Sequence, residues 1–564
     1  MNDFVGYLKI QITDAIEQAI KNAFDKGELN AAGIPDVKLE IPREKGHGEF
    51  ASNIAMQLAK SAGKAPRQIA EIIISNLSTE KSYIDRVECA GPGFINFYLK
   101  ESWLYDALKL IGELNSDYGK INIGRGKKVM VEFISANPTG PLHMGNARGG
   151  ALGDCIASVL TTAGYDVTRE FYINDAGNQM ETFGRSLEAR FLQEIYGEDK
   201  IEFPEDGYFG DDIREHAKDY IKENGDELKN ESPDNRRKAL AAYALERNLA
   251  RIKNDVEAYG INFDVWFHES DLHKSGAVAD TMKWLQDNGF TVEKEGAVWL
   301  SADKSGLEKD EVLIKSNGLY TYFAVDIAYH RNKFLERGFE RVINLLGADH
   351  HGHVARMKAA VSLLGVNADN LDVVLFQLVR LYRNGEIARM SKRTGKSISL
   401  IDLLEEVGRD AARFFFNTKA SGSHLDFDLD LAVSQSNENP VFYVQYAHAR
   451  ICSMIKLLEA EGIKVPPISE AKLELLDKPE EKELIKKLAE LPQEVALAAE
   501  TLEPSRLTRY VLDVAGLFHS FYNACRVKGE EKELAEARLF LVNATGTVIR
   551  NVLSVLSISA PERM

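Results

Sequence analysis

The segment from Val129 to Gly149 constrains this chain more than any other. Val129-Met130-Val131-Glu132-Phe133-Ile134 is an apolar, β-branched run that reads as a buried strand. Pro138, Gly140 and Pro141 then interrupt the chain. Beyond them Ala147, Ala151, Leu152, Ile156, Val159 and Leu160 recur at helical spacing, Gly164 offers a helix stop, and residues 167–173 read as a second strand. Strand, loop, helix and strand in that order predict the opening unit of a nucleotide-binding α/β fold. The loop places His143 and Gly145 at the helix N-terminus, where free N–H groups and the helix dipole favour phosphate. Gly145 leaves room for a ligand to approach the backbone.

The rest of the chain divides around this unit. Residues 1 to about 110 read as a small α/β domain: Val5, Leu8, Ile12, Ile16 and Ala19 make an amphipathic helix, residues 37–41 alternate, a helix begins near Pro66, and residues 94–99 form a strand after a Gly-Pro-Gly turn. Residues 120 to about 435 hold the core built on this unit. An insertion occupies about 180–300, with a highly charged helical part from 195 to 255 that reads as a solvated face. Residues 292–300 and 311–314 read as strands, 320–327 as a mixed apolar stretch, and 341–346 as a strand ending in Gly347-Ala348-Asp349-His350-His351-Gly352-His353. From 436 to 564 strand patterns give way to helical spacing at Leu484, Ile485, Leu488, Leu491, Leu507, Tyr510, Val511, Val514, Leu517, Phe518 and Phe521. The expected fold is thus multidomain α/β: a Rossmann-like parallel-sheet core with an insertion, a small N-terminal α/β domain and an all-α C-terminal bundle.

Composition narrows the function classes. A 45% hydrophobic, 27% charged chain without an apolar run of about 18 residues is a globular protein with no expected membrane span. Its start lacks a basic segment followed by an apolar block, so no secretory signal is expected. Four widely spaced cysteines without a CxxC pair argue against a disulfide framework or a zinc ribbon, which fits a cytoplasmic location. The net charge of −17 argues against indiscriminate nucleic-acid binding, and DNA is not an expected partner. A local basic track at Arg380, Arg383, Arg389, Lys392, Arg393 and Lys396 still leaves RNA open.

Gly395-Lys396-Ser397 invites a P-loop reading, but that spacing needs glycine at the position of Met390. What remains is a basic loop, either solvated or a mobile polyphosphate clamp with Lys392 as its point charge. Paired with His143-Met144-Gly145-Asn146, this loop acquires meaning. The two elements resemble the "HIGH" and "KMSKS" motifs of class I aminoacyl-tRNA synthetases, in the right order around a Rossmann core. The similarity is greatest to the arginyl-tRNA synthetase family. It is carried by residues 132–143, by Tyr322-Phe323-Ala324-Val325-Asp326-Ile327-Ala328 and by residues 434–450, and it runs the whole length. Departures from the motifs are Asn146 for the second histidine, Arg389 for the first lysine and Arg393 for the final serine.

The resemblance implies ATP-dependent ligation of L-arginine to its tRNA through arginyl-adenylate, with transfer to the terminal ribose 2′-OH and Mg2+ arriving with ATP. His143, Asn146 and Lys392 are the implied catalytic set. ATP contacts fall on His143, Gly145, Asn146, Asp349, His350, His353, Met390, Ser391 and Lys392. The His350–His353 cluster with Asp349 also admits a metal reading, but its place at a strand end favours the nucleotide, and no metal site is assigned. A guanidinium needs a carboxylate; Asp326 and Glu132 are the candidates, and the resemblance adds Tyr322, Ser135 and Asn137. For tRNA it implies Asn53 in the N-terminal domain and Met564 at the chain end, while Arg506 and Tyr510 belong to a cation–aromatic mixture suited to RNA loops. A monomer is expected. Rivals are a different class I synthetase such as a cysteinyl enzyme, a silent tRNA-binding relative, and a small-molecule nucleotidylyltransferase.

Overall fold

Five parallel strands form the centre of the computed structural model, which describes residues 2–42, 44, 46–80, 82–388 and 398–564. They are β1 (Lys128–Glu132), β2 (Asp166–Ile173), β3 (Val265–His268), β4 (Arg341–Gly347) and β5 (Leu371–Phe376), with neighbours in the order 5-4-1-2-3. Strand β1 is apolar from Val129 to Val131, where helices cover both faces of the sheet. Its alternation sends Val129 and Val131 into one core with Phe171 and Ile343, and Met130 into another with Val342, Phe323 and Met357. Helix α1 (Met144–Thr162) crosses from β1 to β2 and ends before Gly164, whose φ of 88° is a left-handed conformation that glycine adopts without strain. The order in which strands are added reverses between β1 and β4, and the carboxyl ends of those two parallel strands open a crevice there.

One reading needs correction and another gains its structure. Residues 292–300 are not one strand but a hairpin, Thr291–Lys294 and Ala297–Leu300. Glu295 and Gly296 both take positive φ, 54° and 73°, which makes the two-residue turn that suits a hairpin's twist. With Glu311–Ile314 the hairpin forms a three-stranded antiparallel sheet. The mixed stretch 320–327 lies mostly in helix α2 (Tyr322–Arg331), started by Thr321, whose side chain accepts the Ala324 N–H. Helix α2 runs into a π-turn at Asn332–Glu336, and helix α3 (His351–Leu363) follows β4.

The charged insertion is helical as expected. Helices Asn178–Tyr196, Asp211–Asn224 and Pro233–Ala258 close over a separate small core that includes Phe183, Phe191, Ile213 and Leu240. The N-terminal domain packs helices Phe4–Asp25, Ile54–Ala62 and Pro66–Ser75 with an antiparallel sheet that contains Phe94–Leu99. Helices Pro440–Ala460, Pro479–Ala489, Leu491–Thr501, Ser505–Ala524 and Lys532–Val555 make the C-terminal bundle. That bundle is joined to the catalytic core by Arg413, fully buried, which donates to the Leu556 carbonyl (3.0 Å), the Tyr259 carbonyl (3.2 Å) and Asp154 (2.5 Å). Among the described residues no helix is long and apolar enough to cross a membrane.

Candidate active site

The loop after β1 is held in an unusual shape. Ile134 and Ser135 both have positive φ, 67° and 42°. For a β-branched residue that is an outlier costing on the order of 1–3 kcal/mol, maintained only when surrounding contacts enforce it. Those contacts are present. Ser135 Oγ donates to Glu132 Oε1 (3.0 Å) and accepts the Tyr172 N–H (3.3 Å). Further along, buried Asn248 from the insertion donates to the Pro138 carbonyl (2.9 Å). At the end of the loop, Leu400 N–H donates to the Leu142 carbonyl (2.9 Å) and His143 bridges Ser399.

His143 is the N-cap of α1. Its Nδ1 accepts the Gly145 N–H (3.2 Å), while Asn146 Oδ1 accepts the His143 N–H (3.1 Å), a reciprocal capping box. Two consequences follow. Nδ1 carries the lone pair, so the proton of the neutral ring sits on Nε2 and is available as a donor. Partial burial lowers the His143 pKa below the usual imidazole value and favours that neutral form. Gly145 has a local reason as well: a Cβ there would lie 3.1 Å from His143 Cε1. Asn146 spends its carbonyl oxygen on the cap and keeps its NH2 for a ligand.

These groups line a cavity of about 520 Å3 at the carboxyl ends of β1 and β4. Of the residues singled out by sequence, Glu132, Ser135, His143, Gly145, Asn146, Asp326, Asp349, His350 and His353 all line it. Asn137 and Tyr322 do not: Asn137 is exposed, and Tyr322 stands 55% exposed one turn before Asp326 on the same face of α2. Met390, Ser391 and Lys392 lie outside the described residues. Sequence reasoning missed Tyr172, Tyr329, His330 and Asn344, which complete the floor. A hollow of about 670 Å3 beside Arg409, Gln435 and Gln445 is larger but lies at the junction with the helical bundle, away from these groups.

The floor is a buried polar network. Lys333 Nζ reaches Glu132 Oε2 (2.5 Å) and Asn344 Oδ1 (3.1 Å) and lies 3.9 Å from the Tyr329 ring centroid. Asn344 donates to His330 Nε2 (2.8 Å), and His330 Nδ1 donates to the Asp326 carbonyl (2.8 Å). Above it, His353 Nε2 lies 3.0 Å from Asp326 Oδ2. That contact holds His353 against Asp326, the carboxylate expected to take the guanidinium. Asp349 and His350 are exposed at the start of α3, and among the described residues no three His, Cys, Asp or Glu side chains are placed to hold a metal ion.

Burial, reinforced by Lys333, pushes His330 well below the usual imidazole pKa, so it is neutral when folded. The unfolded chain takes a proton on this side chain below its ordinary value of 6.5, and the folded chain does not. Stability therefore falls with acidification, by about 1.4 kcal/mol per pH unit from this one group. The thermal midpoint is expected to drop from pH 6.5 to 5.0, and His330→Gln should flatten that slope by one proton's worth. Parallel slopes in the two proteins would contradict a neutral His330.

The residues selected for RNA fare unevenly. Tyr510 is buried, and its hydroxyl donates to the Lys487 carbonyl (3.0 Å), so it is a core residue and not an RNA contact. Arg506 is half-buried and paired with Glu494 (3.1 Å). Asn53 is half-buried; it begins its helix without capping it and accepts from Gln57 (2.7 Å). Met564 is exposed. The bundle also presents a strip of which the cation–aromatic mixture read from sequence included only Tyr522: Phe442 stacks on Tyr446, Tyr446 stacks on His519, and the Arg450 guanidinium lies 3.8 Å over Tyr522.

Comparison with known proteins matches this arrangement. A family model described as the tRNA synthetases class I (R) catalytic domain covers residues 111–430. Models for the arginyl tRNA synthetase N terminal domain and the DALR anticodon binding domain cover 10–99 and 444–564. The chain is 68% identical over 564 residues to the arginine–tRNA ligase of Ruminiclostridium cellulolyticum and 65% identical to that of Acetivibrio thermocellus, each covering both chains fully. This chain belongs to the arginyl-tRNA synthetases. The fold agrees: the Thermus thermophilus arginyl-tRNA synthetase superposes with a TM-score of 0.76 at 25% identity, covering 99% of this chain and 100% of its own. As a class I synthetase of this family, the protein catalyses ATP-dependent ligation of arginine to tRNA.

Proposed function

We propose that this arginyl-tRNA synthetase activates arginine in the cavity between β1 and β4, with Asp326 on the guanidinium and His143 on the triphosphate. The observation that carries the reading is the pairing of Leu142 and His143 with Ser399 and Leu400. It sets Ser399, seven positions after Lys392 in sequence, beside the capping histidine, which supports assigning Lys392 to the same nucleotide as His143.

In the first step the arginine carboxylate attacks the α-phosphorus of ATP, forming the mixed anhydride and releasing pyrophosphate. In the second, the 2′-hydroxyl of the terminal ribose attacks the activated carbonyl carbon and AMP leaves. Neither step needs a covalent enzyme intermediate; positioning and charge stabilisation carry the first. The Nε2–H of His143, the Asn146 amide and the N-terminus of α1 face the phosphates. Asp349 and His350, at the start of α3, serve the adenosine. His353 steadies Asp326. Tyr322, one helical turn from Asp326, closes over the guanidinium, and Ser135 and Asn137 hold the amino acid's backbone groups. Mg2+ accompanies the triphosphate and neutralises part of its charge.

The acceptor tRNA is engaged at both ends of the chain, at Asn53 and along the Tyr446–His519–Tyr522 strip towards Met564. Arg450 contributes cation–π character to an RNA-stacking surface. One chain supplies the whole cavity, so a monomer in the cytoplasm suffices, and the net charge of −17 disfavours DNA as a partner. Activation is expected to require bound tRNA. The test is ATP–pyrophosphate exchange with arginine, run with and without its tRNA. Exchange only when tRNA is present is the expected result; equal rates in both would remove the tRNA requirement from the mechanism.

A further inference from the structure

The lysine beneath the cavity has a role that the arginine-binding carboxylate alone does not explain. Lys333 sits in the π-turn at Asn332–Glu336, an irregularity that inserts an extra residue into the helical path and is common at functional sites. Its side chain is fully buried. Its ammonium is saturated by Glu132 Oε2 (2.5 Å), Asn344 Oδ1 (3.1 Å) and the face of Tyr329. Glu132 is saturated in turn, because its other oxygen accepts the Ser135 hydroxyl. A carboxylate with both oxygens engaged and its charge cancelled has little left to offer an incoming cation.

The neighbouring carboxylates are also compensated. Glu170 pairs with Arg337 and Tyr329. Asp175 pairs with His268 (2.8 Å) and accepts from Ser270. Glu269 takes the Tyr172 hydroxyl (2.8 Å), and burial, with Asp326 and Asp175 nearby, moves it towards its protonated form. Asp326 differs. His353 meets only Oδ2, and among the described residues no hydrogen bond reaches Oδ1.

We propose that Lys333 cancels Glu132 inside the cavity, so that the arginine end presents one usable negative charge, on Asp326; Asp349, exposed at the start of α3, lies at the end assigned to the adenosine. Glu132 then acts as a positioning residue, holding the left-handed turn at Ser135, and not as a second ionic ligand. The inference rests on the reading of Asp326 as the guanidinium partner. It makes a specific statement about charge: removing Glu132 alone leaves an uncompensated buried ammonium facing a cationic substrate, whereas removing both charges leaves the balance as it was.

The experiment measures KM for arginine, KM for ATP and kcat in ATP–pyrophosphate exchange at saturating tRNA, for Glu132→Gln and for the double variant Glu132→Gln/Lys333→Met. Glu132→Gln should raise KM for arginine roughly 10- to 100-fold, with KM for ATP nearly unchanged. The double variant should bring it back to within about threefold of wild type, since a buried ion pair is often replaced by neutral groups at little cost. A double variant as poor in arginine KM as the single one overturns the inference and makes Glu132 an ionic ligand.

Calorimetric arginine binding to Asp326→Asn decides the matter independently, including where the double variant does not fold. Loss beyond about 100-fold supports the inference, because no second uncompensated carboxylate remains. A loss of only about tenfold overturns it while keeping Asp326 as a ligand. Unchanged binding removes Asp326 from the site, and this inference with it.

Discussion

Replacing Lys392 by alanine is expected to lower arginine activation about 10²- to 10³-fold while leaving the thermal midpoint unchanged. Pyrophosphate leaves with more negative charge than its oxygens carried in ATP, and an ammonium placed on the β- and γ-phosphates stabilises the transition state more than the ground state. The chain on either side of residues 389–397 is firmly anchored. Ala388 N–H donates to the Leu381 carbonyl (2.8 Å). Ile398 is buried, and Ser399 caps helix Leu400–Val407 in a reciprocal box with Asp402. Both anchors lie outside the substituted segment, so the midpoint is a fair control. Lys392→Arg, which keeps the charge but not its compact geometry, should recover part of the rate. Exchange by Lys392→Ala within threefold of wild type, with tRNA present, would exclude the clamp.

The central unit was legible because its physics is local. A parallel strand covered on both faces must be apolar along its length, as Val129, Met130 and Val131 are. A helix that opens on a phosphate site needs a break and a glycine, and Pro138 to Gly145 supply both. Helix α2 was harder to read because Phe323, Ala324, Val325, Ile327, Ala328, Tyr329 and His330 are all buried, so no polar face marks its period. Lys333 gave no signal either. It meets Glu132 across 201 positions of sequence, and before folding it reads as an ordinary solvated lysine after a helix. Tyr510 misled for the opposite reason. In a stretch mixing arginines with aromatics, nothing local separates a ring that stacks on RNA from one whose hydroxyl satisfies the carbonyls of Lys487 and Leu488 in the core.

Asp326→Asn is expected to reduce kcat/KM for arginine about 10²- to 10³-fold, with KM for ATP unaffected. The substitution preserves shape and one acceptor oxygen, so it isolates charge. A guanidinium is permanently ionised and sheds its water only against a partner of opposite charge. An amide supplies one hydrogen-bond acceptor and presents an NH2 that opposes the guanidinium's own donors. His353 sharpens the expectation. With Arg356 Nη2 3.5 Å from its Nδ1, His353 offers Nε2–H to Asp326 Oδ2 and orients Oδ1 towards the cavity. In the asparagine variant that hydrogen bond draws the amide oxygen to His353 and turns the NH2 inwards, so the loss should exceed that of a neutral contact alone. His353→Ala in the same background should then cost little more, because the group it orients no longer attracts arginine. Full additivity of the two substitutions would show His353 serving another part of the substrate, and wild-type arginine affinity in Asp326→Asn would move amino-acid recognition elsewhere in the cavity.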